Sequence, residues 1–505
     1  MPKPKLLTYF TDAPQHKGDL FAYLGGKGAN LNRMARELQL PVPEGFTIPT
    51  VECLRYTETG KLRPSLTQAI WTAIERVESE SGRGFGDPSN PLLLSVRSGA
   101  KFSMPGMMET ILNLGLNSDT VEGLAKNTSD DFAWDSYRRF VQMYASIVGG
   151  VPEEHFSERV KVATALCGGK NIDAEVSQLL VTTFKKIAKA HGVHIPSSPR
   201  SQLRNAIQAV FGSWYADKAV SYRRIEGIPD DLGTAVNVQR MVFGNLNDES
   251  ATGVAFSRNP NNGAKEVYGD FLVNAQGEDV VAGTHDTSPL SDIHTAFPTV
   301  GLELNSILET LERELRDMVD IEFTIEDGKL YMLQARVGKR NPQAAVKIAT
   351  EMLSEGLIEL DESKARIDKA HENWTEPTED DESIPTGDLI GNGLPASPGR
   401  VSGLVALSSR TAVSMAESGK NVILVRYATD PSDIEGMSKS VGILTQTGGL
   451  VSHAAVVARG WGKSCVVGAD ISITGLHFKS KDGAVINEGD SIVIDGTTGE
   501  VWVSA

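Results

Sequence analysis

The spacing of apolar residues changes period repeatedly along the chain, and each change marks an element. Leu92-Leu93-Leu94-Ser95-Val96 is an apolar run of strand type that ends in Arg97. Thr234 to Gly244 alternates apolar and polar residues, as a strand does. From Ala29 onward, Leu31, Met34 and Leu38 recur at helical spacing, and the aromatic residues of Trp134 to Tyr144 do the same. Residues 116–199 read as helical and more polar, Pro196-Ser197-Ser198-Pro199 marks a boundary, and Ser201 to Tyr222 is helical again. Two helices follow residue 341. Past residue 388 the strand-like runs are Val422–Val425, Gly442–Thr445, Ser464–Val467, Ser491–Ile494 and Glu500–Val503, separated by glycine-rich turns. These make a compact βα unit.

Two strand patterns, Asp320–Ile325 and Leu330–Arg336, flank Glu326-Asp327-Gly328-Lys329. A two-residue Asp-Gly turn would pair 325 with 330 and send Glu322 and Gln334 to opposite faces. A three-residue loop, Glu326-Asp327-Gly328 with the glycine left-handed, pairs 325 with 329 and puts Asp320, Glu322, Gln334 and Arg336 on one face. The three-residue loop is the expectation. Two oxygen ligands and an arginine on one face suit Mg²⁺ and nucleotide phosphates; a solvated polar face is the plain alternative.

Composition sets the class. A chain of 505 residues suggests about three domains. With 40% hydrophobic residues it builds substantial cores, and a net charge of −16 argues against general nucleic-acid or membrane-surface binding. Cys53, Cys167 and Cys465 are too scattered for a disulfide framework or a zinc site and suit a reducing cytoplasm. No signal peptide or membrane span is expected. Residues 375–387, acidic and proline-bearing, form the best linker.

Four stretches carry candidate chemistry. In Leu24-Gly25-Gly26-Lys27-Gly28-Ala29, Lys27 sits at a loop-to-helix junction where glycines admit a phosphate, although the stretch reads equally as a surface turn and lacks the Walker spacing. Arg97 ends its strand beside a Gly- and Met-rich loop and can clamp phosphate or form a surface ion pair. Ser250 to Arg258 has a small, flexible centre, where the amides of Thr252 and Gly253 can cover phosphates or simply turn a hairpin. Glu278 and Asp279 place two carboxylates in a loop after another strand. Beyond these, Gly442–Thr445 leads through Gly448-Gly449 to an apolar helix starting near Ser452. His453 falls in its first turn, where free N–H groups and the dipole favour an anion by about 0.3–1 kcal/mol. A lone histidine there is more often a capping residue.

The whole stretch Thr445–Gly460, however, resembles the phosphohistidine signature of the pyruvate, phosphate dikinase family. Gly25–Leu31, Ser95–Met108, Asn274–Val281 and Glu322–Arg340 resemble that family's ATP-grasp-type nucleotide-binding region, and the likeness runs from about Gly18 to Val503. The resemblance implies an α/β (α+β) fold: a nucleotide-binding domain over 1–340 with a helical insertion at about 116–199, a helical and acidic linker over 341–387, and a swivelling β/β/α phosphohistidine domain over 388–505. It implies that His453 attacks the β-phosphate of ATP, that Lys27 and Arg97 hold phosphates, and that Arg336 neutralises the γ-phosphate. It implies Mg²⁺ on Glu322 and Gln334, adenine against Gln239, Met241 and Val242, Thr252 and Gly253 over the phosphates, and Glu278 and Asp279 along the same cleft. Inorganic phosphate is the second substrate. Pyruvate or phosphoenolpyruvate is expected on a (β/α)₈ barrel that this sequence does not include. Plant relatives are switched off by phosphorylating a threonine two residues before the histidine. That position is Val451, so this control is expected to be missing, with Ser452 as a substitute site. Rival readings are a phosphoenolpyruvate synthase-like or antibiotic phosphotransferase-like enzyme, and a phosphohistidine carrier or nucleotide-sensing partner that does not turn over.

Overall fold

A computed structural model describes residues 6–104, 107–168, 172–281, 287–372 and 386–504. The chain forms two compact units, Met1–Val242 and Phe243–Ala505.

The first unit is built on an antiparallel sheet of five strands. In spatial order they are Thr8–Tyr9, β1 (Gly45–Ile48), β4 (Ala235–Arg240), β2 (Leu94–Gly99) and β3 (Thr110–Leu114). Helix α1 (Leu20–Asn32) is capped by Asp19 and broken at Gly25, whose φ of 68° and ψ of 163° are not helical. A Cβ at Gly25 would lie 1.6 Å from the Gly99 carbonyl oxygen, so this backbone approach requires glycine. The expected helical region holds Asp130–Met143 and Ala174–Ala190, among others. Arg138 and Arg139 both pair with Asp135, at 2.6 and 2.7 Å.

The second unit opens with another antiparallel sheet. Its order is β8 (Lys329–Val337), β7 (Val319–Glu326), β5 (Ala251–Phe256), β6 (Tyr268–Val273) and the short Ser288–Pro289. The β7–β8 turn corrects the expected three-residue loop. Asp327 and Gly328 have φ of 51° and 71°, and Ile325 pairs with Leu330. Two left-handed residues match the twist of the flanking strands, which is why Asp-Gly favours the two-residue turn. A register shift between Met332 and Gln334 then supplies the extra residue. Gln334 consequently pairs with Glu322 and Arg336 with Asp320. The shared face is as expected; the device that makes it is a bulge at Leu333.

Ser250–Arg258 is also corrected. Thr252 and Gly253 lie inside β5, which pairs with β6 on one edge and β7 on the other. Their amides belong to the ladder, so the reading of a flexible centre covering phosphates falls. Gly253 is small because a Cβ would sit 2.5 Å from the Phe323 ring and 2.8 Å from the Asp270 carbonyl oxygen. Gly253→Ala is expected to cost about 1–3 kcal/mol by overpacking, read as a lower urea midpoint at unchanged slope.

The remaining strands form an eight-stranded sheet and a small antiparallel sheet of three. The parallel centre of the larger is β9 (Arg400–Ala406), β10 (Val422–Arg426), β11 (Gly442–Thr445) and β12 (Ser464–Val467). Helix α2 (His453–Trp461) connects β11 to β12. Its entry segment packs on the β5–β8 sheet, where Val451 joins an apolar cluster with Val254, Phe256, Met318 and Ile348. Arg459, on α2, lies 5.8 Å from the centre of the Phe256 ring. The helices after residue 341 are Pro342–Ser354 and Leu360–Glu372. Most of the expected linker, residues 375–385, lies outside the described residues. Cys53, Cys167 and Cys465 are unpaired. Among the described residues no helix is long and apolar enough to cross a membrane.

Candidate functional site

In the second unit, strand pairing lines up two rows across one sheet face. One row is Gln334, Glu322, Val254 and Asp270; the next is Arg336, Asp320, Phe256 and Tyr268. Opposed residues share a face, so the rows lie side by side. Arg336 Nε donates to Asp320 Oδ2 at 2.8 Å. Asp320 is 2% exposed, and its Oδ1 is buried with no hydrogen-bond partner among the described residues. Burial pushes this carboxyl up and the Arg336 guanidinium opposes the shift. An orphaned carboxylate oxygen beside Glu322 and the Gln334 carboxamide is a hard oxygen donor set. Mg²⁺ is commonly held by one or two carboxylates together with substrate phosphates, so these residues fit that ion. No cluster of three or more His, Cys, Asp or Glu ligands occurs among the described residues.

The histidine lies at the C-terminal end of the parallel strands. After β11 the chain turns at Gly448 (φ 114°), Ser452 takes the N-cap position, and His453 is the first residue of α2. Thr429, just past the end of β10, places its Oγ1 3.0 Å from His453 Nδ1. Nε2 is buried without a hydrogen-bond partner among the described residues. Burial lowers the ring's pKa from 6.5 to about 4; Asp430 pulls it up and Lys339 pushes it further down. The imidazole is therefore neutral at pH 7. With Nδ1–H donating to Thr429, the lone pair stays on Nε2, which is buried and otherwise unengaged among the described residues. Ser452 Oγ is buried and unbonded among the described residues, and Val451 is packed into the apolar cluster beneath it.

Thr429→Val should leave the fold intact while freeing the tautomer and orientation of the His453 ring, which the imidazole nitrogen NMR shifts of wild type and variant check.

In the first unit, α1 covers the sheet face that carries Arg97. A Cβ at Gly28 would lie 2.7 Å from Thr47 Oγ1 and 2.9 Å from Asn237 Oδ1, and Asn237 is the residue paired with Arg97. A Cβ at Gly99 would lie 3.4 Å from Lys27 Cβ. Lys27 and Arg97, both half-buried, thus stand on one side of this sheet. Gln239 is buried and its Nε2 donates to the Pro43 carbonyl at 3.2 Å. Met241 and Val242 are buried, with Met241 N donating to Leu93 O at 2.9 Å.

Of the other expected residues, Thr252 Oγ1 donates to the Phe323 carbonyl at 3.2 Å. Glu278 and Asp279 fall in a short helix, Gly277–Val281, where a loop was expected. Asp279 Oδ2 accepts from Gln276 N at 2.9 Å, which is the local bond that turns the chain into that helix. The side chain of Glu278 lies outside the described residues.

Sequence reasoning missed Thr429 and Lys339, and gave Asp320 no role of its own. Thr429 precedes Asp430-Pro431-Ser432-Asp433, which forms a capping box. The available signal was topological: adjacent parallel strands share a crevice at their C-terminal ends, which puts residues after β10 beside those after β11.

The fold is mixed α/β with a nucleotide-binding region of ATP-grasp type, and comparison with known proteins agrees. The family model for the pyruvate phosphate dikinase AMP/ATP-binding domain matches residues 21–70, 62–290 and 300–357, and that for the mobile domain of PEP-utilising enzymes matches 418–499. Pyruvate, phosphate dikinase of Rhizobium meliloti (strain 1021) is 49% identical over 500 residues, covering 95% of this chain and 55% of that protein. The Clostridium symbiosum protein of the same name is 46% identical over 490 residues, 95% of this chain and 56% of its own. The chloroplastic one of Flaveria trinervia is 45% identical over 508 residues, 99% and 53%. The chain belongs to the pyruvate, phosphate dikinase family. It spans about half the length of the curated relatives it matches.

Proposed function

We propose that this chain carries out the nucleotide half of a pyruvate, phosphate dikinase reaction. The His453 Nε2 lone pair forms a bond to the β-phosphorus of ATP, and the bond from that phosphorus to the bridging α-oxygen breaks, releasing AMP. An oxygen of inorganic phosphate then attacks the terminal phosphorus of the pyrophosphoryl group, and pyrophosphate leaves with phosphate remaining on Nε2. The onward acceptor is pyruvate, the substrate in the relatives' name, bound by a barrel domain outside these 505 residues.

The observation that carries this reading is the neutral imidazole at the start of α2, with Nδ1 engaged by Thr429. Lys27 and Arg97 in the first unit bind phosphate charge, and Gln239, Met241 and Val242 line the adenine. In the second unit Arg336 neutralises the terminal phosphate. Glu322 and Gln334, with Asp320 beside them, would hold Mg²⁺, which supplies charge neutralisation when bound. Residues 388–505 form the carrier and 341–387 its tether, so that the histidine visits two sites in turn.

The test is incubation with β-³²P-labelled ATP, Mg²⁺ and phosphate. Acid-labile label on the peptide containing His453, with release of AMP and pyrophosphate, is the expected result. AMP formation that ignores added phosphate would instead favour a synthase-like or antibiotic phosphotransferase-like reaction. Labelling that stops at one equivalent, with no transfer even when pyruvate and a barrel-bearing relative are supplied, would favour a carrier.

A further inference from the structure

The second unit holds a cation that this mechanism has not used. Lys339 follows β8 by two residues. Its backbone is pinned just before it: Gly338 N donates to Met318 O at 2.9 Å, and a Cβ on Gly338 would meet Met318 Cε at 2.8 Å. Lys339 runs along helix α2, where a Cβ on Gly460 would lie 3.2 Å from its Cδ and 3.4 Å from its Nζ. Gly460 is seven residues beyond His453. Seven residues turn a helix by about 700°, close to two full turns, and advance it about 10.5 Å. The lysine therefore packs on the helix face that carries the histidine, about two turns further along. The charged groups that bear on the ring are Asp430 and Lys339.

We propose that Lys339 is a further catalytic residue for phosphoryl transfer, its ammonium swinging from Gly460 to pair with the phosphoryl group as that group arrives on His453 Nε2. This rests on the phosphohistidine reading above. The covalent balance is unchanged: the N–P bond forms, the bridging P–O bond breaks and its electron pair leaves with AMP. The proton stays on Nδ1, hydrogen-bonded to Thr429 Oγ1, until the phosphorylated ring, then cationic, releases it to solvent. What Lys339 adds is a positive charge at the destination, where negative charge accumulates in a water-poor site. Before transfer the same charge discourages protonation of the ring, which preserves the nucleophile.

Lys339→Met and Lys339→Arg test it in the full chain, with three measurements on each protein. These are single-turnover labelling from β-³²P-ATP, MgATP affinity by calorimetry, and peptide-resolved carbethoxylation of His453 against pH. Lys339→Met is expected to slow labelling by about 10- to 100-fold while MgATP affinity stays within about two-fold. The pH midpoint of His453 modification should move up, and Lys339→Arg should restore most of the rate. Labelling of Lys339→Met at the wild-type rate overturns the proposal. So does a rate loss matched by an equal loss of MgATP affinity, which would make Lys339 a nucleotide ligand. A wild-type chain that takes no label overturns the phosphohistidine reading itself, a result distinct from a labelled wild type with an indifferent Lys339→Met.

Discussion

Replacing His453 with alanine is expected to abolish protein labelling from β-³²P-ATP, a loss of at least about 1,000-fold, with MgATP affinity unchanged. Alanine is the best helix former and His453 opens α2, so the helix should survive the change. No other group described at the start of α2 replaces the Nε2 lone pair, since Ser452 is buried beneath it. The wild-type pH profile should carry the same signature. The ring's pKa lies near 4 rather than the ordinary 6.5, so it keeps its lone pair well below neutrality. Labelling should therefore stay level from about pH 8 to about pH 5 and fall below that. The sign for stability follows. Burying a neutral ring is fully favourable above pH 6.5, and the advantage shrinks as pH falls through the folded-state value near 4. A profile that breaks at pH 6.5 would mean that the reacting histidine is solvated, against the geometry found here.

Arg258→Met is expected to destabilise the second unit by about 3–5 kcal/mol, the cost of stranding a buried charge. Arg258 is 0% exposed, and Glu312, its main partner at 2.8 Å, is 7% exposed on its side chain. Glu351 and Glu355 complete the cluster at 3.2 and 2.7 Å, and Ser257 donates to Glu312 as well. The arginine sits just past β5 and reaches the helices Pro298–Leu315 and Pro342–Ser354, so it anchors the strand that backs the Glu322–Gln334 row. Methionine fills similar space without charge, so the loss is electrostatic rather than a cavity. Urea unfolding of the single variant, and of Arg258→Met with Glu312→Leu, separates the two. The double variant should recover part of the loss, because the most deeply buried carboxylate is then no longer left without its arginine.

Much of the C-terminal module was legible because buried parallel strands read as unbroken apolar runs. Val422–Arg426, Gly442–Thr445 and Ser464–Val467 stand within a residue of where the pattern puts them, and the helix begins at His453 as its cap position implies. The Asp320–Glu322–Gln334–Arg336 face was legible as a face but not as a register. Leu333 looks like any strand leucine, and a bulge has no residue signature of its own. Gly253 misled in the opposite direction: in sequence, a glycine made necessary by the Phe323 ring cannot be told from one that confers freedom. Thr429 was hidden because a hydroxyl before Asp-Pro reads as part of a cap. The roles of Lys27, Arg97 and Gln239 came from family resemblance; periodicity places such residues on strands and helices without saying what they hold.

The bulge at Leu333 also says where this ribbon can change length. Losing that one residue would let Gln334 follow Met332 directly into an ordinary ladder, still opposite Glu322, with Arg336 still opposite Asp320. Losing a residue between Gln334 and Arg336 would instead rotate one of the two to the far side. A hairpin that looks uniformly intolerant of shortening therefore contains one spare link, next to its most demanding pair.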